Sequence, residues 1–529
     1  MRTYLWVACS VLWVSVLGLR IIVPPPAGTT QAGLAYAAYS FTKTDHPGYL
    51  AQITESGYDV FWLPFLVTAG NARLFGLREW LIPVLGWMTA TLAVAGTLKI
   101  MKISPLKPMV ALVLVLNPWL NYLSLYHLPE MMTLAAGIFW LAEKETFKKT
   151  GWWILAVFSS PTGLIAGAAG GLYYLFKLLR IKEFRKAGLW TGIMALAAVF
   201  LSVTNPGFVS RTFEPTILKD LNTNLLAAQI NEKQKILFLG SGRTFILPAY
   251  ARKIIFNKAI TGLDIAVRKA VSLADFEQWT APTAAWAVTG LSGLPPRGAH
   301  PALLYFWEPA LILLGLAVIK RDRRMRDRRI KILIFTLLAL LPAIIFEKRY
   351  FHLSALFLIP LLTLAAATGL GSMGRKGLVL GAAIYILSAF LILKPMYLNP
   401  GSYTRSDILL YRSISSWVES NGPKYDKVVI TDRFGPTGLM YAYYSGADPD
   451  LYWAGGGTTW DNLEFRELDL GSEMGGVSGK TAYAGLPGEI TGKRAEYNPG
   501  QSSYKVLKTI ETDEVLVYGF GPGIWIWEN

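Results

Sequence analysis

The stretch PALLYFWEPALILLGLAVIKRDRRMRDRRIKILIFTLLALLPAIIF, Pro301–Phe346, decides the fold class. Two apolar runs flank the basic run Lys320–Lys331. Crossing about 30 Å of hydrocarbon takes about 20 apolar residues. A short loop dense in Lys and Arg between two such runs marks the cytoplasmic side of a membrane protein. We read KRDRRMRDRRIK as that anchor and not as a nucleic-acid patch.

The same pattern extends over the chain. It has 529 residues, 53% of them hydrophobic and only 16% charged, against about 25% charged in ordinary soluble domains. The net charge of +16 is therefore read against loop position before any polyanionic partner is invoked. About eleven spans follow from hydropathy, near residues 4–23, 79–98, 108–125, 130–142, 151–160, 163–179, 188–204, 301–319, 331–346, 351–371 and 377–394. Residues 60–76 form a candidate twelfth, interrupted by Asn71 and Arg73. The first run is long, starts with a single Arg2 and ends in Pro24-Pro25-Pro26, so we read it as a retained helix and not a cleaved signal. The single cysteine, Cys9, excludes a disulfide within the chain and a thiolate metal site.

Charge orients the spans. Basic clusters lie at Lys99/Lys102/Lys107, Lys144/Lys148/Lys149, Lys177–Lys186, Lys320–Lys331 and Arg375/Lys376. With the N-terminus inside, all of them fall on the cytoplasmic side of a plasma membrane. The opening loop 24–78, the turn 124–130, the loop 205–300, the turn FEKRY and the tail 395–529 then face outward. The reading divides the chain into a membrane domain, 1–394, and an extracytoplasmic α/β domain, 395–529. In the tail, DILLYRSISSWVESNG reads as an amphipathic helix stopped at Asn421-Gly422, and KVVITD, YKVLKTIE, EVLVYGF and IWIWE read as strands. No internal repeat suggests paired transporter halves.

Few residues could carry chemistry. Glu130 follows Pro129 at the outer mouth of a span, where a carboxylate is expensive unless solvated or paired. The first turn of a helix also favours negative charge, which is the plain structural reading. Lys348 and Arg349 in FEKRY sit at an outer boundary that charge orientation does not explain, and suit a phosphate. His352 lies beside them. Arg297 and His300 precede the span that contains Glu308, which we expect at headgroup level with Tyr305 and Trp307 in the aromatic belt; a buried Glu308 would need a partner. The opening loop offers Asp45, His46, Glu55 and Asp59.

In order, these motifs resemble the GT-C superfamily of membrane glycosyltransferases, in the branch of the protein O-mannosyltransferases and the lipid A aminoarabinose transferase (glycosyltransferase family 39-like). PPAGTTQAGLAYAAYSFTKTD resembles the segment after that family's first helix through Tyr36, Tyr39, Ser40, Lys43 and Thr44. NPW…S…LPE, with Asn117, Pro118, Trp119, Ser124 and Glu130, resembles its second motif. PPRGAHPALLYFWEPALILLG and KRYFHLSALFLIPLLTLAA resemble two later ones, and the likeness covers about residues 1–445. The resemblance implies sugar transfer from a polyprenyl-phosphate-linked donor at the outer face, to a glycan, lipid or protein acceptor. It implies a carboxylate base on the acceptor and Lys348, Arg349 or Arg297 on the donor phosphate. Tyr36, Tyr39, His46 and His300 would line the site. Some relatives use a divalent metal ion, for which Asp45, His46 and Glu130 would be the ligands. Membrane lipids are expected partners and nucleic acid is not. One departure stands out: where relatives carry Asp-Glu, this chain has Thr30-Gln31. The base then moves to Asp45 or Asp59, with Glu130 as second acid. The alternatives are a catalytically degenerate GT-C chain that binds lipid-linked glycans, and a lipid-linked oligosaccharide flippase, polymerase or transporter.

Overall fold

A computed structural model describes residues 2–22, 24, 29–44, 61–100, 107–143, 145–204, 304–305, 307–321, 355–398, 407–432, 436–468, 481–485, 505–510 and 524–528. Apolar helices dominate up to residue 398. The bundle is built from α1 (Arg2–Ile22), α4 (Leu81–Ile100), α5 (Lys107–Val115), α6 (Pro118–Tyr126), α7 (Leu128–Ala142), α8 (Thr146–Val157), α9 (Pro161–Arg180), α10 (Phe184–Thr204), α11 (Glu308–Arg321), α12 (Leu358–Ser372) and α13 (Gly374–Leu398), with α2 (Thr29–Thr44) and α3 (Trp62–Phe75) between the first two. Among the described residues, Leu81–Ile100, Thr162–Arg180 and Phe184–Leu201 are each long and apolar enough to cross a membrane. Cys9–Ile22, Leu128–Ala142, Glu308–Ile319, Leu358–Ser372 and Lys376–Leu391 are shorter apolar helices.

Large hydrophobic side chains also point outward. Val7, Val11 and Val14 on α1, Leu189, Leu196 and Val199 on α10, and Leu380, Leu387 and Phe390 on α13 are all exposed. Water would penalise such faces at roughly 25 cal/mol per Å², whereas lipid does not. The interior is also apolar, so the helices pack by close approach, as membrane helices do. The contact between α11 and α12 shows this. A Cβ added at Gly315 would lie 1.8 Å from the Ala365 carbonyl oxygen, and one at Gly369 would lie 2.1 Å from that of Leu311. Gly315→Ala is expected to lower stability by about 1–3 kcal/mol, read as a drop in thermal midpoint in detergent.

The sequence reading differs from the structure at three places. Residues 108–125 are not one straight span: α5 and α6 meet at Leu116-Asn117 with a 54° bend. Pro118 disfavours a helical residue before it, and Asn117 is extended, with φ −64° and ψ 124°. The opening segment 24–78 is not a loop throughout: it contains α2, which was not expected, and α3, a helix where residues 60–76 read as a candidate span. Glu308, expected at headgroup level where a buried carboxylate would need a partner, is fully buried, together with Tyr305. The expected span 331–346, the strand EVLVYGF and the long segment 205–300 lie outside the described residues.

Beyond residue 398 the chain forms an α/β arrangement. Helix α14 (Asp407–Asn421) leads through a 3-10 turn, Gly422–Lys424, to β1 (Lys427–Ile430). Helices α15 (Thr437–Ser445) and α16 (Pro449–Ala454) follow, then β2 (Thr459–Trp460), β3 (Leu463–Phe465), β4 (Thr481–Gly485), β5 (Lys505–Ile510) and β6 (Ile524–Glu528). The sheet order is β2-β3-β1-β4-β6-β5, with β1 central and parallel to both β3 and β4. Val428, Val429 and Ile430 are buried, as a strand covered on both faces requires. The GGGTTWDN segment is a turn entering β2, with Gly456, Gly457 and Asp461 at positive φ.

Glu464 on β3 pairs with Lys427 of β1 at 2.5 Å and with Arg466 at 3.0 Å. Partial burial pushes this carboxyl up, but the hydrogen bonds and charges of Lys427 and Arg466 outweigh it and leave the group below its usual value. A folded-state value below the unfolded one adds stability that is present above the unfolded value and lost as pH falls through the folded one. Melts recorded as pH falls below about 4 should therefore drop less steeply for Glu464→Gln than for the parent.

The two halves share one core. Ala32, Leu34, Ala35, Tyr36, Ala37 and Ala38 of α2 are all buried, in a cluster with Tyr411, Met440 and Tyr452 beyond residue 398. The Ala-rich sequence gives α2 both helix propensity and a slim profile for burial on every side. The Tyr36 hydroxyl donates to Ala447 O at 3.1 Å, and Trp453 Nε1 donates to Ser40 Oγ at 3.4 Å. Arg412 on α14 pairs with Glu79 and lies over the Tyr444 ring.

Candidate active site at the α6–α7 turn

The site is built from the end of α6 upward. The last carbonyls of any helix lack partners within it and must be satisfied from outside. Here the Arg20 guanidinium, on α1, donates to Ser124 O at 3.3 Å, to Ser124 Oγ at 2.6 Å and to Pro83 O at 2.9 Å. The Gln31 side-chain amide, on α2, donates to the next carbonyl, Leu125 O. Gly86 of α4 lets the backbones touch, since a Cβ there would meet Ser124 O at 1.8 Å. Three helices thus grip one turn. The opposite end of α4 is tied to the end of α7 by the Lys99–Glu143 pair at 2.9 Å.

Directly after the gripped turn come His127 and Glu130. His127 ends α6 and precedes α7, and Glu130 lies in the first turn of α7. Pro129 suits that first turn, where its missing N–H is not needed. Glu130 is 7% exposed. Its Oε2 lies 3.8 Å from His127 Nδ1, and His127 is about one third exposed. The Tyr122 ring stands 5.3 Å from the His127 ring and stacks on Trp119 at 5.4 Å. A carboxylate at a helix N-terminus, next to an imidazole and an aromatic wall, can take a proton from a hydroxyl or return one.

Of the residues expected in the site, the structure describes Glu130, Tyr36 and Tyr39. Glu130 is at the turn. Tyr36 is turned to the Ala447 carbonyl and packs edge-on against Tyr452 at 5.1 Å. Tyr39 is half-buried, with the Lys43 ammonium 5.6 Å from its ring. Asp45, His46, Asp59, Arg297, His300, Lys348 and Arg349 lie outside the described residues. Among the described residues no three His, Cys, Asp or Glu side chains converge as a metal site. Glu130 and His127 are two donors among the described residues, and the other expected ligands, Asp45 and His46, lie outside them.

Two residues were missed in the sequence. Arg20 is a basic group in an apolar helix, at the end that charge orientation does not account for. That mismatch was its signal. Gln31 stands in the sequence only as a departure from an acidic pattern. Its structural task explains the departure, because a carboxylate could not donate to Leu125 O and would face the negative end of α6. Gln31→Glu is therefore expected to cost about 1–3 kcal/mol, measured as detergent-solubilised unfolding, while Gln31→Asn costs less.

No protein-family model matches the chain, and no curated protein matches it. Among solved structures it is similar to ArnT from Cupriavidus metallidurans in the apo state, at 11% identity and a TM-score of 0.43, over 99% of this chain and 97% of that one. It is also similar to ArnT from the same organism bound to undecaprenyl phosphate, at 11% identity and a TM-score of 0.40, with the same coverage.

An apolar groove of about 570 Å³ runs between α8 and α10, lined by Ile154, Phe158, Leu196 and Phe200 among others. Its Phe158 end touches the start of α3, where Leu63 N donates to Phe158 O at 3.3 Å and Trp62 meets Phe200 at 6.5 Å.

Proposed function

We propose that the chain is a GT-C-type membrane glycosyltransferase that moves a sugar from a polyprenyl-phosphate-linked donor to an acceptor hydroxyl at the outer face of a plasma membrane. The observation that carries this reading is the buried Glu130 beside His127, on a turn gripped by the end of α1 and the start of α2. The gripping segment is the one whose sequence resembles the catalytic loop of that superfamily. In this reading Glu130 takes the acceptor proton as the sugar–phosphate bond breaks, and basic residues hold the departing phosphate. Lys348, Arg349 and Arg297 are assigned that task. The base, assigned from the sequence to Asp45 or Asp59, is assigned in this reading to Glu130, and Asp45 or Asp59 becomes the second acid. The groove between α8 and α10 suits an isoprenoid chain, being apolar and of the right scale for one. His46 and His300 would line the acceptor side.

A second reading is supported by Gln31. The position where relatives hold an acid is committed here to a helix cap, as expected of a degenerate chain that binds lipid-linked glycan without turnover. Purified protein given radiolabelled polyprenyl-phosphate sugars distinguishes the two. Release of sugar supports transfer. Saturable donor binding with no release supports the degenerate chain. Neither binding nor release would sink both.

A further inference from the structure

We infer that Glu308 is a positioning residue for α6, and through α6 for Glu130. It deepens the transfer reading above and depends on that reading for its kinetic arm only. The bend between α5 and α6 leaves backbone groups that regular helix would have paired. The chain closes them itself. Asn121 Nδ2 donates to Val115 O and to Asn117 O, both at 2.9 Å, and Asn117 Oδ1 accepts from Leu120 N at 2.8 Å. The Leu116 carbonyl, at the apex, accepts from the Tyr305 hydroxyl.

Tyr305 is in turn fixed by Glu308. Its backbone N–H donates to Glu308 Oε2 at 2.8 Å, and Glu308 Oε1 accepts from the Tyr385 hydroxyl, on α13, at 2.6 Å. All three residues are fully buried. Tyr385 stands edge-on to Tyr305 at 5.8 Å and to Trp307 at 4.4 Å. One carboxylate therefore ties α11 to α13 and aims a hydroxyl at the bend. A carboxylate among apolar helices is costly to hold, and nothing in the proposed chemistry touches this one.

Helix α6 is nine residues long, about 13 Å from end to end. Its first end is held by Tyr305 and its last by Arg20 and Gln31. Loosening the first end tilts the helix and swings the turn that presents Glu130. A displacement of about 1 Å can cost on the order of 100-fold in rate.

Tyr305→Phe is the clean test, since it removes the bond to Leu116 O and keeps the N–H that serves Glu308. Turnover at saturating donor should fall about 10-fold or more, with the KM for lipid donor within about 2-fold. Amide hydrogen exchange at residues 118–131 should speed up by about 10-fold, while residues 184–204 keep the parental rate. Glu308→Gln should act in the same direction and Tyr385→Phe more weakly. Parental exchange at 118–131 in Tyr305→Phe would overturn the inference, as would a KM that rises in step with the fall in kcat. If the parent protein turns over no donor, the transfer reading fails, and exchange alone decides the role of Glu308. If Glu308→Gln does not fold, Tyr305→Phe carries the test.

Discussion

Arg20→Met is expected to lower the unfolding free energy of the membrane bundle by about 3 kcal/mol or more. The side chain is fully buried and serves Pro83 O, Ser124 O and Ser124 Oγ. Methionine fills much of the space but donates to none of them. Each acceptor left unsatisfied costs roughly 1–3 kcal/mol, and relaxation of the helix ends recovers part of the sum. Arg20→Lys should recover little, because an ammonium lacks the fork that reaches two helices at once. Denaturation in mixed micelles, followed by Trp fluorescence, reads both variants. Loss of the grip should also uncouple α2 from the α6–α7 turn. Donor turnover should then fall further in Arg20→Met than its stability loss alone would bring. A parental unfolding curve for Arg20→Met would remove Arg20 from the account of the site.

Much of the membrane part was legible. Periodicity and length located α1, α4 and α7 to α13 near their observed positions, because an apolar run of that length has few other solutions. The tail was legible where a strand is buried on both faces, as in Val428–Ile430, and where Asn421-Gly422 stops a helix. The bend at Leu116-Asn117 was written in Asn117-Pro118 but read through, since the surrounding residues are apolar on both sides of it. Helix α2 was hidden by the prolines before it, after which the segment reads as an outer loop. Its Ala content was the better signal. The burial of Glu308 was not legible at all, because its partner Tyr385 lies 77 residues away. Gln31 shows the same limit from the other side. Beside an acidic pattern it looked like a lost catalytic group, and only the carbonyl of Leu125 explains what it does.

Glu130→Gln is expected to abolish most of the activity without unfolding the protein. The amide matches the carboxylate in size, so local packing is kept, but it cannot take a proton. Removal of a general base costs typically 100- to 10,000-fold in rate. Glu130→Asp keeps the charge but draws it back by about 1 Å, and should be intermediate. Thermal midpoints of all three proteins should agree to within a few degrees, which separates chemistry from folding. The most direct test of the account is sugar release from a radiolabelled polyprenyl-phosphate donor by the parent, Glu130→Asp and Glu130→Gln at equal, folded concentrations. Turnover is expected in the order parent, Asp, Gln, with the Gln variant down at least about 100-fold and donor binding retained. Turnover by Glu130→Gln at the parental rate would contradict it.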